Sequence, residues 1–155
     1  MSIDIHLTID DAALRRAIQD PQLIAGPVKD FLAKSALTVE SGAKLVAPVD
    51  TGRLRASITS DLKPTSARVK AAVFYAAHVE FGTRPHWPPL AAMQPWARRH
   101  GFPAGRVGAF LVARAIAKRG TRAQPFMRPA LERALTPIRG FLRELAADIE
   151  RRWKR

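Results

Sequence analysis

A long amphipathic stripe with a proline near each end determines much of the fold of this chain. Its apolar and small residues recur at i, i+3, i+4 and i+7 spacings, which places them on one face of an α-helix of about five turns. They are Val28, Phe31, Leu32, Ser35, Val39, Gly42, Ala43 and Val46. The Gly26-Pro27 pair begins this pattern, and Pro48 should end it because proline disfavours helical geometry in the residue before it. The chain therefore has to bury one face of a long helix.

A second stripe at near-helical spacing lies at the C-terminal end and predicts a long helix from Pro129 to about Trp153. Its apolar members are Leu131, Leu135, Ile138, Leu142, Leu145, Ile149 and Trp153. Pro137 lies within this stripe and should bend or interrupt the helix, because proline has no N–H to donate.

Apolar residues that alternate with polar ones, the pattern of half-buried strands, occur at three places. The alternating residues are Ile3, Ile5, Leu7 and Ile9, then Leu54, Ala56 and Ile58, then Val69, Ala71, Val73 and Tyr75. The first set predicts an opening strand, and the other two predict an antiparallel hairpin around a Pro64-Thr65-Ser66 loop. A strand or a short helix can follow the turn at Asp50-Thr51-Gly52. Between Ala76 and Phe81 we expect a turn that ends at Gly82-Thr83.

Shorter helices are predicted between these elements. Asp10 or Asp11 can cap one that runs to about Ile18, and Asp20-Pro21 is a second capping signal. Two more are expected around Leu90–His100 and from Val107 through Phe110, Leu111, Ala115 and Ile116 to a stop at Gly120. The predicted class is α+β, with one small antiparallel sheet packed by two long helices in a single domain spanning 1–155.

The sequence offers little for catalysis. The chain has no cysteine, which excludes disulfides, thiolate metal sites and cysteine nucleophiles. The four histidines, His6, His78, His86 and His100, form no metal-binding pair on one helical face, and no phosphate-binding or nucleophile-elbow motif occurs. Asp50 and Glu80 could be nuclease carboxylates, but the lysine expected two residues after the second carboxylate is replaced by Gly82. We therefore predict a protein that is not an enzyme and that needs no cofactor or metal.

Positive charge is unevenly distributed along the chain. The formal net charge is +13, yet residues 1–50 carry −2 and residues 51–155 carry +15. Between Phe81 and Leu131 there are nine basic residues and no acidic one. This asymmetry favours a polyanion or an acidic protein surface as partner, and the alternative is a solvated basic face.

A basic DNA-binding accessory protein is the alternative function that this charge allows. Arg98 to Arg122 would have to form a helix-turn-helix, for which Pro103-Ala104-Gly105 supplies only the turn.

No apolar run approaches the roughly 20 residues needed to cross a bilayer, and the acidic start MSIDIHLTIDD does not have the pattern of a secretory signal. We therefore expect a soluble chain that is made and kept in the cytoplasm, without a membrane partner.

Three sequence blocks in a fixed order carry a family resemblance. They are Ala47-Pro-Val-Asp-Thr-Gly-Arg-Leu-Arg-Ala-Ser-Ile58 after an amphipathic helix, Tyr75-Ala-Ala-His-Val-Glu-Phe-Gly-Thr83, and Gln124-Pro-Phe-Met-Arg-Pro-Ala-Leu131 before a long helix. In this order they resemble the minor tail component family of long-tailed bacteriophages, the tail-completion or head–tail joining proteins.

The resemblance implies a structural subunit that assembles with copies of itself into a ring, a hexamer, where the phage tail meets the head. Its implied partners are the tail tube or tail terminator protein, the head-side connector or adaptor protein and, without sequence preference, the genomic DNA. It also implies a place in the neck or tail of the virion after assembly in the host cytoplasm, and no catalytic residue.

The family's recurrent positions imply roles for particular residues. The turns should be shaped by Pro48, Asp50, Gly52, Gly82 and Thr83, and the core or the start of the last helix by Tyr75, Pro125, Phe126 and Pro129. Relative to the shortest family members, this chain carries a helical insertion at about 84–123, before the C-terminal helix. Tryptophan and arginine are favoured interface residues, so we predict contacts with a partner or with DNA at Arg84, Trp87, Trp96, Arg98, Arg99, Arg106, Arg114 and Arg122.

Overall fold

The structure is a computed structural model that describes residues 3–8 and 24–153. Its elements, in chain order, are β1 (Ile3–Thr8), α1 (Ala25–Val46), α2 (Arg53–Ala56), β2 (Ile58–Lys63), β3 (Ser66–Ala71), α3 (Ala76–Phe81), α4 (Leu90–Arg99), α5 (Arg106–Arg119) and α6 (Met127–Trp153). The helix predicted to end near Ile18, and the capping signal at Asp20-Pro21, lie outside the described residues.

The described residues divide into two compact units. The main unit comprises the residues up to Ala76 together with those from Pro125 onward, and the insertion unit is Ala77–Gln124. The insertion predicted at about 84–123 falls inside the second unit.

The main unit contains a small antiparallel sheet in the order β1-β3-β2. Ala71 of β3 lies opposite both Ile3 of β1 and Ile58 of β2, and the hairpin turns at Pro64-Thr65. The predicted antiparallel hairpin is therefore correct, although β3 ends at Ala71 and the alternation through Val73 and Tyr75 does not extend it.

Short helices occur at two places where the sequence left a choice or predicted another structure. After Gly52, the residues Arg53–Ala56 form a short helix instead of a strand, and this helix buries Leu54. Ala76–Phe81 also forms a helix, α3, where a turn was expected. Ala76 and Glu80 are both buried, and a spacing of four residues places them on one helical face. The strand-like alternation of the residues just before them hides this helical spacing in the sequence.

Helix α1 packs against the hairpin and against α6, and these contacts form the core of the main unit. It buries Val28, Leu32, Ala36, Val39 and Ala43, largely the stripe that predicted it. A Cβ placed on Gly42 would lie 3.5 Å from the Cβ of Ala130, so small residues let α1 and α6 approach closely. The α+β class and the two long packing helices are confirmed.

The ends of the two long helices follow their prolines. Ala47, the residue before Pro48, has φ −55° and ψ 127°, the extended geometry that ends α1. Helix α6 begins at Met127, so Pro129 lies in its first turn, where no N–H is needed for the helical hydrogen bonds. The helix continues through Pro137 without interruption, and both Ala134 before it and Leu145 after it are buried. Packing on both sides therefore offsets the hydrogen bond that the proline removes.

Candidate interaction surfaces

The insertion unit is closed near its two ends by an antiparallel bridge between Thr83 and Thr121. The two residues exchange backbone hydrogen bonds of 3.1 and 3.2 Å, and their hydroxyl oxygens lie 3.0 Å apart. Next to the bridge, the backbone N–H of Gln124 donates a 2.8 Å hydrogen bond to the backbone carbonyl of Val79. These bonds hold together the segments by which the chain enters and leaves the unit.

Glycines flank this bridge because there is no space for a side chain. Gly82 has φ 70°, and a Cβ there would lie 2.5 Å from the carbonyl oxygen of Thr121. Gly120 has φ 71°, and its Cβ would collide with the carbonyl oxygen of Thr83. Gly82 and Thr83 were predicted as a turn and Gly120 as a helix stop, but their pairing across the insertion was not predicted. The distance of 38 residues between the threonines gives no local signal for it.

Helices α4 and α5 pack against each other in the insertion unit through small residues. The buried apolar positions in this part of the chain are Pro88, Ala97, Gly108, Ala109, Val112, Ala113 and Gly120. Several large apolar side chains of the unit are exposed, namely Phe81, Trp87, Trp96, Phe102, Val107, Phe110 and Leu111, whereas Val79, Leu90, Met93 and Ile116 are half-buried. The buried positions are thus mostly small residues while many large apolar side chains face outward, and an exposed apolar surface of this kind marks interaction sites.

Helix α5 shows this reversal most clearly. Val107, Phe110 and Leu111 are 61, 45 and 41% exposed, although the spacing of these three residues predicts the helix. Its buried face consists of Gly108, Ala109, Val112 and Ala113. The i, i+1, i+4, i+5 spacing of these small residues was the signal that could have identified the inner face.

Some of the exposed aromatic side chains of the insertion unit contact one another. The ring of Trp87 meets that of Phe110 edge-on, with centroids 5.6 Å apart. Trp96 stacks on His100 at 4.0 Å and lies 5.9 Å from the ring of Phe102. The two tryptophans therefore belong to two separate aromatic contacts.

All eight residues predicted to contact a partner or DNA are exposed: Arg84, Trp87, Trp96, Arg98, Arg99, Arg106, Arg114 and Arg122. The insertion unit contains eight Lys and Arg residues and one carboxylate, Glu80, which is buried. Its formal charge is +7 in 48 residues, which gives this unit a predominantly cationic surface.

The main unit also exposes apolar residues on its long helices. On α6, Leu135 and Leu142 are 44 and 50% exposed, and Leu131, Ile138 and Ile149 are half-buried. Among the stripe residues whose burial the structure describes, only Leu145 is buried, and the inner face is made mainly of Met127, Ala130 and Ala134. Helix α1 similarly exposes Leu37 and Leu45. Each helix thus presents a second apolar face besides the one in the core.

The remaining predicted positions lie in the main unit, apart from the bridge residues Gly82 and Thr83. Pro48 is half-buried, Asp50 is exposed, and Gly52 has φ 79° before α2. Phe126 is fully buried. Tyr75, Pro125 and Pro129 are half-buried, and the Tyr75 ring contacts Phe74 edge-on at 5.3 Å.

A polar contact connects α1 to β2. Glu40 accepts a 2.6 Å hydrogen bond from Lys44 and further hydrogen bonds from the side chain and backbone of Ser60. Partial burial by itself raises the pKa of Glu40, but these hydrogen bonds and the charge of Lys44 outweigh it, so the pKa is lowered. This carboxylate therefore stabilises the packing of the helix on the hairpin in its ionised form.

Across residues 3–8 and 24–153, no three histidine, aspartate or glutamate side chains are grouped where they could hold a metal ion. Among the same residues, no helix is both long and apolar enough to span a membrane.

Comparison with known families gives one match. Residues 12–82, just under half of the chain, match the model of the HK97-gp10-like family, described as "Bacteriophage HK97-gp10, putative tail-component". The matched range contains the first sequence block and nearly all of the second, and it stops where the predicted insertion begins. The resemblance to phage tail components is confirmed over this range. No curated protein and no solved structure is significantly similar to the chain.

Proposed function

We propose that this chain, which matches a phage tail-component family over residues 12–82, is a structural virion protein that forms a ring at the head–tail junction and has no enzymatic role. The family match carries the proposal. In the ring, the subunit would join the tail tube or tail terminator protein to the head-side connector. The same proposal places it in the neck or tail of the virion.

The two outer apolar faces of the main unit supply the ring contacts. A closed ring is built from one repeated heterologous interface, in which two different surfaces of the subunit meet. The exposed face of α6 around Leu135 and Leu142 and that of α1 around Leu37 and Leu45 are two such surfaces. Burial of apolar surface at about 25 cal/mol per Å² would then stabilise the assembly.

A pair of double variants on α6 tests the ring. Leu135→Gln/Leu142→Gln should reduce assembly, because it makes the outer face polar. The matched control is Thr136→Gln/Arg143→Gln, which changes exposed residues one position further along the helix, about 100° away from that face. Electron microscopy of virions and the mass of purified full-length protein with its tail partners report on assembly. Virions that contain a single copy of the chain would contradict a ring, as would equal assembly of both double variants.

DNA binding is the second candidate, and the charge of +7 on the insertion unit favours it. Phosphate contacts release counterions, so DNA affinity falls steeply as salt concentration rises. A ring held by apolar contacts should persist instead. Assembly and duplex binding, both measured at about 50 and 200 mM salt, therefore separate the two functions.

A further inference from the structure

We infer that the outward face of α5 docks as a helix into an apolar groove bordered by carboxylates on a neighbouring protein. The inference rests on the proposed function for the identity of that neighbour as a virion protein. Its basis is the placement of apolar and basic residues along one helix.

The apolar part of this face has the spacing of a docking helix. Val107, Phe110, Leu111 and Arg114 stand at i, i+3, i+4 and i+7, the positions by which amphipathic helices anchor in a groove. All four are exposed, while Gly108, Ala109, Val112 and Ala113 pack inward. Val107, Phe110 and Leu111 are therefore largely left out of the core of the unit and remain available to a partner.

The basic part of the same face indicates the charge of the partner. Arg114 and Lys118 are both exposed and continue the line of Val107 and Leu111 along the helix. The insertion unit has eight cationic residues and only the buried carboxylate of Glu80. An apolar groove with carboxylates along the side that faces Arg114 and Lys118 would complement both parts of the face.

A second copy of the chain does not supply that surface. The rest of the chain is itself positive, with a formal charge of +6. Several of its carboxylates already lie within ion-pair distance of cations of the same chain, including Asp61, Glu144 and Asp148. Charge complementarity thus favours a different, acidic protein.

The aliphatic residues favour a protein over DNA. Bases stack on aromatic rings and phosphates pair with cations, but Val107 and Leu111 offer neither kind of contact. Both are exposed at the positions where a groove-binding helix carries its anchors. A protein groove explains the aliphatic and the basic residues together.

The test compares two double variants of the full-length protein on the same helix face. Val107→Gln/Leu111→Gln removes the aliphatic anchors, keeps every charge and leaves the contact between Trp87 and Phe110 in place. Arg114→Gln/Lys118→Gln removes two charges and keeps the apolar anchors. The probes are purified tails assembled without this chain, the purified head-side connector of the same phage, and a 30-base-pair DNA duplex.

We expect wild-type protein to bind one of the two protein probes and the aliphatic variant to bind it at least tenfold more weakly at both 50 and 200 mM salt. The charge variant should lose less, and its loss should diminish at the higher salt concentration. Circular dichroism and thermal unfolding establish that both variants are folded. If the aliphatic variant unfolds, the single substitution Val107→Gln, at the most exposed of the anchors, replaces it.

Three results would overturn the inference: no binding to tails or connector by wild-type protein, equal binding by the aliphatic variant, or binding to the duplex alone that only the charge variant weakens. Assembly of the main unit is measured on the same samples. Rings that form normally but whose binding to tails and connector does not depend on α5 would remove the docking helix and leave the proposed function standing. The absence of any ring from virions would remove the function itself.

Discussion

At the residue scale, glycines with similar backbone angles have different surroundings. Gly52 has φ 79°, and the space where its Cβ would lie is open. Gly82 has φ 70°, but its Cβ would lie 2.5 Å from the carbonyl oxygen of Thr121 and 2.8 Å from the amide nitrogen of Ala123. Backbone strain alone opposes substitution at the first site, whereas strain and steric overlap both oppose it at the second.

Gly52→Val should therefore lower the free energy of unfolding by about 1–2 kcal/mol, the usual cost of left-handed geometry for an L-residue. Gly82→Val should cost roughly 2–5 kcal/mol of local stability, because overpacking adds about 1–3 kcal/mol. Urea unfolding measures the first change, and amide exchange at Thr83 and Thr121 measures the second. Gly140→Ala, in an open position on α6, is the control and should stabilise the helix by about 0.5–1 kcal/mol. Unchanged exchange at the bridge in the Gly82 variant would show that the bridge tolerates a side chain.

Glu40 gives a residue-scale prediction about pH. Its pKa in the folded protein lies below the ordinary value of 4.5, so its stabilising effect is complete above that value and is lost as the pH falls through the folded pKa. Glu40→Gln should lower stability by roughly 0.5–1 kcal/mol at pH 7, and the difference from wild type should vanish in acid. Chemical unfolding at pH 7, 5 and 3 checks this, and a constant difference across the three values would contradict it.

At the scale of elements, the sequence was informative wherever one periodicity ran for several turns. The stripe that begins at Val28 identified α1 correctly. The alternation on either side of Pro64-Thr65 identified the hairpin but not its bounds, because Leu54 and Ala56 lie in α2 and Val73 and Tyr75 lie beyond β3. The six residues of α3 are too few for a helical period to stand out after a run of alternating residues. The inner faces of α5 and α6 could not be read from large apolar residues, because close helix packing places alanine and glycine inside. The large apolar residues of these two helices are instead mostly exposed or half-buried.

Pro137 provides a test of this packing argument. Helix α6 continues through the proline, although the missing N–H leaves one backbone carbonyl without its helical hydrogen bond. Pro137→Ala restores that bond and should raise stability by about 1–3 kcal/mol. The melting temperature of the full-length protein reports this gain. A lower melting temperature would show instead that the proline ring itself packs in a way that the alanine cannot replace.

At the scale of the whole molecule, the two units differ in the kind of surface that they expose. The main unit exposes apolar faces on α1 and α6. Most of the Asp and Glu residues of the chain belong to this unit, and several of them form ion pairs. The insertion unit shows aromatic and basic residues with one buried carboxylate. The family match covers α1 but not α6, and it includes only residues 77–82 of the insertion unit. Under the proposed function, the difference between the two surfaces favours self-assembly through the main unit and contacts with other virion components through the insertion.

Two quadruple variants with the same change in net charge test that division. Arg98→Gln/Arg106→Gln/Arg114→Gln/Arg122→Gln removes exposed cations from the insertion unit, and Arg53→Gln/Arg55→Gln/Arg133→Gln/Arg143→Gln removes as many from the main unit. Both should fold, because surface substitutions usually change stability by less than about 0.5 kcal/mol each. The insertion variant should join tails to heads more slowly, with the defect largest at low ionic strength, since long-range attraction to an acidic partner raises the association rate and salt screens it. The main-unit variant should join them at the wild-type rate.

The measurement is the yield of infectious particles over time when purified heads and tails are mixed at about 50 and 200 mM salt. If both variants slowed joining equally, only the total charge would matter, and the basic residues of the insertion would have no partner of their own.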